Sequence, residues 1–249
     1  MIILITGATA GFGRALARLL VSKGHQVIAA GRRAERLAAL QQELGASLRP
    51  LLLDMDDIAA MDKLLARLPA ELQAIDVLVN NAGLALGLEP APRADLADWL
   101  QMIDTNIRGL VALTHKVLPG MVARNRGHIV NLSSIAGSYP YLGSNVYGAS
   151  KAFVSQFSLN LRADLVGTRV RVSNIEPGLC GGTEFSTVRF HGDRHRADAV
   201  YAGVEALGPE DIAAIIAWVI EQPPHVNINR LEVMPTAQTF NGLTVSKDL

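Results

Sequence analysis

Nearly continuous apolar runs alternate along the chain with longer stretches in which apolar residues recur every three to four positions. The short runs lie at 2–5, 27–30, 51–53, 77–79, 129–132, 170–175 and 231–234. A run without polar alternation predicts a strand buried on both faces, as in a parallel sheet covered by helices. The longer stretches lie near 14–23, 34–46, 57–68, 95–124, 146–166 and 209–221. Within them Leu16, Leu19 and Leu20, then Leu37, Leu40 and Leu44, keep helical spacing. Strand and helix alternating over the whole chain predict an α/β fold: a doubly wound parallel sheet of about seven strands, helices on both faces, joined by right-handed crossovers. Only 179–198 breaks the rhythm, with Gly181 and Gly182 followed by mixed charges and aromatics. Loops of that length in compact domains are often active-site lids, so this segment is the expected substrate loop.

Length agrees with one domain over 1–249, since single α/β domains of roughly 200–250 residues are common. The 49% hydrophobic content supplies a sheet buried on both sides. Lys plus Arg equals Asp plus Glu at 23 each, so no net charge draws the chain to nucleic acid or to an anionic membrane. Cys180 is the only cysteine, which excludes an internal disulfide and points to a reducing compartment. The opening apolar run has no basic residues before it and ends after five residues, so it reads as a strand rather than a signal peptide. No stretch reaches the roughly 18 apolar residues of a membrane span. A soluble, cytoplasmic protein is expected.

The first strand runs into Thr6, Gly7, Ala8, Thr9, Ala10, Gly11, Phe12 and Gly13, and a helical pattern follows. That context suits a phosphate loop: Gly7 for the turn, Gly11 for close approach of backbone to pyrophosphate, Gly13 for helix–strand contact. The helix start would offer unpaired N–H groups and a positive dipole end. A plain glycine-rich turn is the bland alternative. The second strand ends at Gly31, Arg32 and Arg33, with no acid before Glu35. An acid here would bind ribose hydroxyls and select NAD, whereas arginine suits a 2′-phosphate and selects NADP(H). A solvated helix start is the alternative for the two arginines. Tyr147 and Lys151 are four residues apart on a predicted helix and so share a face. An ammonium beside a phenol lowers the phenol's pKa from about 10 and makes it a usable general acid or base.

Together these residues resemble the short-chain dehydrogenase/reductase family over nearly the whole chain. The resemblance rests on Thr6 to Gly13, on Asn80, Asn81, Ala82 and Gly83, and on Asn106 in the next long helix. It rests further on Ser134 thirteen residues before Tyr147, and on Pro177 and Gly178 after the sixth strand. Within the family the chain is most similar to bacterial NADP-dependent 3-hydroxy acid dehydrogenases, which include malonic semialdehyde reductases and serine or allo-threonine dehydrogenases. The runs 80–90, 145–153, 175–185 and 237–243 carry that narrower likeness. Thr183 lies one position later than in many family members, an insertion this narrower group shares.

The resemblance implies a Rossmann-type sheet and a catalytic set of Ser134, Tyr147, Lys151 and Asn106. Tyr147 would exchange a proton with the substrate oxygen, and Lys151 would lower its pKa and bind the nicotinamide ribose. Ser134 would hold the substrate oxygen, with Ser133 as its rival on the adjacent face. Asn106 would bind a water linking Lys151 to solvent, or merely satisfy helix backbone. Asp54 and Met55 would meet the adenine, although Asp54 could equally cap a helix. Asn81, Ala82 and Gly83 would line the path from adenosine ribose to nicotinamide. Pro177, Gly178, Leu179, Thr183 and Phe185 would close over the nicotinamide. Arg189 is a candidate clamp for a substrate carboxylate, with Arg194 and Arg196 competing. His191 and His195 lack an acid or cysteine nearby to complete a ligand set, so no metal is expected. The expected reaction interconverts the 3-hydroxyl and 3-oxo forms of short 3-hydroxy acids. Its rivals are a reductase of other ketones or acyl-carrier substrates on the same fold, and a non-catalytic NADP-binding sensor or scaffold. The family's long helices imply a homotetramer.

Overall fold

The computed structural model describes residues 1–240, so the last part of the run 237–243 lies outside the described residues. Seven strands form one sheet: β1 (Ile2–Thr6), β2 (Gln26–Gly31), β3 (Leu48–Leu52), β4 (Val77–Asn80), β5 (Gly127–Leu132), β6 (Val170–Pro177) and β7 (Arg230–Val233). All pairings are parallel, in the order β3-β2-β1-β4-β5-β6-β7. The third strand begins at Leu48, earlier than the apolar run at 51–53, because Arg49 and Pro50 pair with β2 near the sheet's outer edge. An edge strand needs no ladder donor from proline on its open side.

Nine helices accompany the sheet among the described residues: α1 (Gly11–Ser22), α2 (Ala34–Leu44), α3 (Ile58–Ala66), α4 (Leu96–Ile103), α5 (Leu110–Ala123), α6 (Asn145–Asp164), α7 (Phe185–Arg189), α8 (Arg194–Ala199) and α9 (Pro209–Ile220). None is long and apolar enough to cross a membrane among those residues. Strand period then sorts the apolar runs into two cores. Ile3 and Ile5 of β1 face Leu16, Leu20, Ile212 and Ile216 of α1 and α9. Leu4 between them faces the other layer, with Met61, Leu113 and Leu161 of α3, α5 and α6.

The single long helix expected over 95–124 is broken. A π-helical turn, Asp104–Gly109, separates α4 from α5. Two contacts account for it. The side chain of Asn106 spans to Leu84, accepting from its N–H at 2.9 Å and donating to its carbonyl at 2.9 Å. Gly109 packs so close to Met55 that a Cβ there would fall 2.5 Å from the Met55 carbonyl oxygen. The extra residue of a π turn delivers both positions, and such turns are frequent at functional sites.

His128 on β5 is only 2% exposed, with Nε2 2.9 Å from Ser173 Oγ and Nδ1 without a partner. Burial, and then the charge of Arg171, hold its imidazole well below the ordinary 6.5. Below that ordinary value the unfolded chain binds the extra proton, so the stability tied to neutral His128 is complete above it and is lost as pH falls toward the folded value. The urea midpoint should therefore drop between about pH 7 and about pH 5, and His128→Gln should flatten that drop. Denaturation curves for both proteins across that range check it.

Candidate active site

The site begins where the winding of the sheet reverses, between β1 and β4. Thr6 Oγ1 accepts from the N–H groups of Asn81 at 3.0 Å and Ala82 at 2.9 Å, and donates to the Val79 carbonyl at 3.3 Å. Asn81 returns a bond from Nδ2 to the Thr6 carbonyl at 2.8 Å. The chains leaving the two strands are thereby held against each other, and the crevice opens beside them. Gly7 turns at φ +67°, and a Cβ there would meet Asn81 Nδ2 at 2.9 Å. A cavity of about 580 Å³ runs from this turn to Tyr147 and Lys151.

Helix α1 starts without a side-chain cap, since Ala10 precedes it, and without an acid in its first turn. Its leading N–H groups therefore remain for an anion in the cavity that Ala10, Gly11 and Phe12 line. Gly11, at φ +50°, lies under the lid segment: a Cβ would come 3.3 Å from Thr183 Cγ2. Ala8 and Gly13 lie behind this surface. Ala8 is buried in the core, and a Cβ on Gly13 would strike the Gly7 carbonyl at 2.6 Å.

At the far end of the turn the two arginines differ. Arg33 donates from Nε and Nη2 to Thr9 Oγ1, at 3.1 and 2.8 Å, and pairs through Nη1 with Glu184 at 2.7 Å. Arg36 of α2 takes the other oxygen of Glu184 at 2.8 Å. Arg32 lines the same cavity, is exposed, and has no ion pair or hydrogen bond among the described residues. Asp54 and Met55 line the adjoining wall. Asp54 is not the cap of α3. That role belongs to Asp57, which accepts from Ala60 N, while Asp54 Oδ1 accepts from Asp56 N at 3.1 Å. An uncapped helix start, close-approach glycines and an uncommitted arginine at the end of β2 fit a dinucleotide with a 2′-phosphate.

At the other end, Tyr147 and Lys151 project from the first turns of α6, where both are buried. Lys151 Nζ donates to the Leu132 carbonyl at 2.8 Å and lies 5.9 Å from the Tyr147 ring centroid. In the protein alone the phenol is not lowered. Burial raises it above its ordinary value of 10.0, Tyr141 adds to the rise, and the neighbouring Ser134 hydroxyl and Arg189 charge oppose it. Burial also pushes Lys151 down to about 8. Desolvation thus favours the neutral form of each group and at Tyr147 outweighs the opposing Ser134 hydroxyl and Arg189 charge. Ser134 and Ser133 are separated by strand alternation. Ser134 Oγ, on the cavity wall, accepts from Ala136 N at 3.1 Å. Ser133 Oγ donates at 2.6 Å to the carbonyl of Lys151, from behind. Asn106 stands beside the cavity rather than in it. Besides Leu84, its amide donates to Ser150 Oγ at 3.0 Å, so its side chain ties the loop after β4 to α6. Ala82 and Gly83 line the passage, and a Cβ on Gly83 would lie 3.3 Å from Lys151 Nζ.

The segment 179–198 is more regular than its composition suggests, because α7 and α8 form within it. Asp193 caps α8 by accepting from Arg196 N at 3.0 Å. Pro177, Gly178, Leu179, Thr183, Phe185 and Arg189 all line the cavity, and the Phe185 ring packs 5.6 Å from that of Tyr147. Arg196 stacks instead over Phe190 at 4.4 Å. Arg194 is exposed and absent from the cavity wall. His191 Nε2 contacts Asp98 at 3.0 Å, and His195 is exposed. Sequence reasoning missed Tyr141, Glu184 and Gln238. Gln238 Oε1 accepts from Leu179 N at 2.7 Å across 59 positions. Neither periodicity nor motif spacing carries such a contact; only the charge reversal at Glu184, within a segment otherwise rich in arginine, was a visible signal.

The chain matches the short chain dehydrogenase family over residues 1–193. It is 60% identical to a protein of Salmonella typhi named NADP-dependent 3-hydroxy acid dehydrogenase, covering 99% of this chain and 100% of that one. It is 54% identical to the serine 3-dehydrogenase of Agrobacterium fabrum, over 99% of this chain and 98% of that one. The closed form of a serine dehydrogenase complexed with NADP+ superposes with a TM-score of 0.99 at 59% identity, over 100% of both chains.

Glu184 is the link between the lid segment and α2. Glu184→Gln removes the charge from both arginine pairs, and amide hydrogen exchange over α7 should accelerate while that of β1 and β4 stays slow. Equal exchange in the two proteins would show that the pairs do not hold the segment down.

Proposed function

The chain belongs to the short-chain dehydrogenase family, and we propose that it is an NADP-dependent dehydrogenase of short 3-hydroxy acids. It interconverts the 3-hydroxyl and 3-oxo forms of serine, allo-threonine or 3-hydroxypropionate, the last with malonic semialdehyde as its oxidised partner. The carrying observation is that one cavity joins Arg32, unpaired among the described residues and beside a glycine-rich turn, to the buried Tyr147 and Lys151 and the half-buried Ser134. The names of the relatives support the substrate class.

The turn from Gly7 to Gly13 receives the pyrophosphate, and Arg32 is the free cation for the 2′-phosphate. Asp54 and Met55 border the adenine; Asn81 to Gly83 and Pro177 to Phe185 border the rest. NADP(H), when bound, supplies or accepts the hydride; the protein handles the proton. Burial keeps the Tyr147 hydroxyl protonated, the form that donates to the substrate oxygen in carbonyl reduction. Ser134 Oγ, beside the Tyr147 hydroxyl, polarises that oxygen. In oxidation Tyr147 accepts the hydroxyl proton, and the Lys151 ammonium and Arg189 guanidinium stabilise the phenolate left behind. Asn106 holds α6 against the loop after β4 and so positions the pair.

The same reading takes 1–249 as one domain with 179–198 as its substrate loop, acting in the cytoplasm as a homotetramer. A lone, partly buried Cys180 supports the compartment, and exposed Phe153 and Leu159 on α6 support assembly.

Two substitutions test the reading, with initial rates followed by NADPH absorbance. Tyr147→Phe should lower kcat on 3-hydroxypropionate and serine by about 10²- to 10⁴-fold while NADPH still binds, as fluorescence would show. Arg32→Ser should raise the KM for NADP by roughly tenfold and leave that for NAD nearly the same, as expected for an exposed charge-assisted phosphate contact. Equal effects on both cofactors would refute the assignment of Arg32.

A further inference from the structure

Arg189 is 9% exposed, yet no carboxylate pairs with it among the described residues. Glu184 of the same segment pairs with Arg33 and Arg36, Asp193 caps α8, and Asp98 of α4 pairs with His191. Its backbone and side chain are both anchored to one residue. The Arg189 carbonyl accepts from Gly87 N at 2.9 Å, and its Nε donates to the Gly87 carbonyl at 3.2 Å. The guanidinium carbon then sits 5.4 Å from the Tyr141 ring centroid and 5.6 Å from that of Tyr147. Its Nη2 is buried and has no hydrogen-bond partner among the described residues. Arg189 lines the catalytic cavity.

A guanidinium stays charged, and burying that charge without a counter-charge is costly. Aromatic faces compensate only part of the loss. The open donor edge fits a planar anion that can take two parallel N–H bonds, which is the geometry of a carboxylate. The neighbouring Tyr147 fixes where the reacting oxygen must lie. With the guanidinium carbon 5.6 Å from the Tyr147 ring centroid, a carboxylate on Arg189 and a hydroxyl at Tyr147 can belong to one short carbon chain. We propose that Arg189 binds the substrate carboxylate and thereby makes the site select 3-hydroxy acids over neutral alcohols of the same size. This rests on the dehydrogenase reading above and names the residue behind its substrate class. Arg189 also ties the lid to Gly87, so an occupied clamp would hold the lid shut over the reacting carbon.

The test compares 3-hydroxypropionate with its methyl ester, each with NADP, in the wild-type protein, Arg189→Gln and Arg189→Lys. The acid-to-ester ratio of kcat/KM should fall about 10²-fold in Arg189→Gln, mostly through KM. It should fall less in Arg189→Lys, which keeps the charge without the fork. A ratio unchanged in both variants, with rates on acid and ester lowered together, would overturn the proposal and leave Arg189 as a lid anchor. Should Arg189→Gln not fold, inhibition of the wild-type protein decides: propionate should compete with 3-hydroxypropionate and propionamide should not. Equal inhibition by the two would overturn the clamp. A wild-type protein that oxidises the ester and a neutral alcohol but no acid would instead sink the hydroxy-acid reading itself.

Discussion

The seam between β1 and β4 is the constraint on which the rest of the site depends. Two parallel strands adjacent in the sheet send their chains to opposite faces, and something must hold the divergence in register. Thr6 and Asn81 do this with four short-range bonds that share one hydroxyl and one amide. The hydroxyl replaces ladder partners that the departing backbone has lost, so the N–H groups of Asn81 and Ala82 are both paired. Gly7 and Gly13 are required by the same seam, because the Asn81 amide occupies the space their side chains would need. Phosphate turn, helix start and cavity floor all follow from that packing.

A second buried polar chain supports the catalytic end. Asn80 donates to Thr114 and to Asn131, and Asn131 donates to Ser158. These bonds cross from β4 through β5 to α5 and α6, so the helix carrying Tyr147 and Lys151 is keyed to the sheet by geometry as well as by apolar contact. Ser133 adds a bond to the carbonyl of Lys151 itself. Such directional bonds limit the arrangements open to the core, although Asn80 Oδ1 stays without a partner among the described residues. The consequence for chemistry is desolvation. Tyr147 and Lys151 lie in a setting that resists charge on either of them, and the Arg189 charge opposes that resistance at the phenol.

The lid segment couples the two ends of the cavity. Glu184 holds it to Arg33 and Arg36 beside the glycine-rich turn, Arg189 to Gly87 and the Tyr147 ring, and His191 to α4. Each contact is modest where it is exposed, so the segment can open; together they position α7 over the reaction centre.

Strand and helix order, the parallel sheet, the phosphate turn and the Tyr147–Lys151 pair were all legible along the chain. Each rests on a local pattern: continuous apolar runs, period 3.6, glycine beside a helix start. Three features were not legible. The π turn that breaks the helix after Leu96 depends on Asn106 reaching Leu84 and on Gly109 meeting Met55, contacts made only when the layers pack. The order inside 179–198 depends on Asp193 as a cap and on the cavity wall to pack against. The direction in which the Tyr147 pKa moves reversed the expectation from spacing, since burial is a property of the assembled fold. Sequence by itself determined which residue types stand at the ends of which strands, because backbone geometry makes that a local matter. Tertiary structure decided which of the arginines is paired, which is exposed and which is buried unpaired, because desolvation and partner choice exist only once distant segments meet.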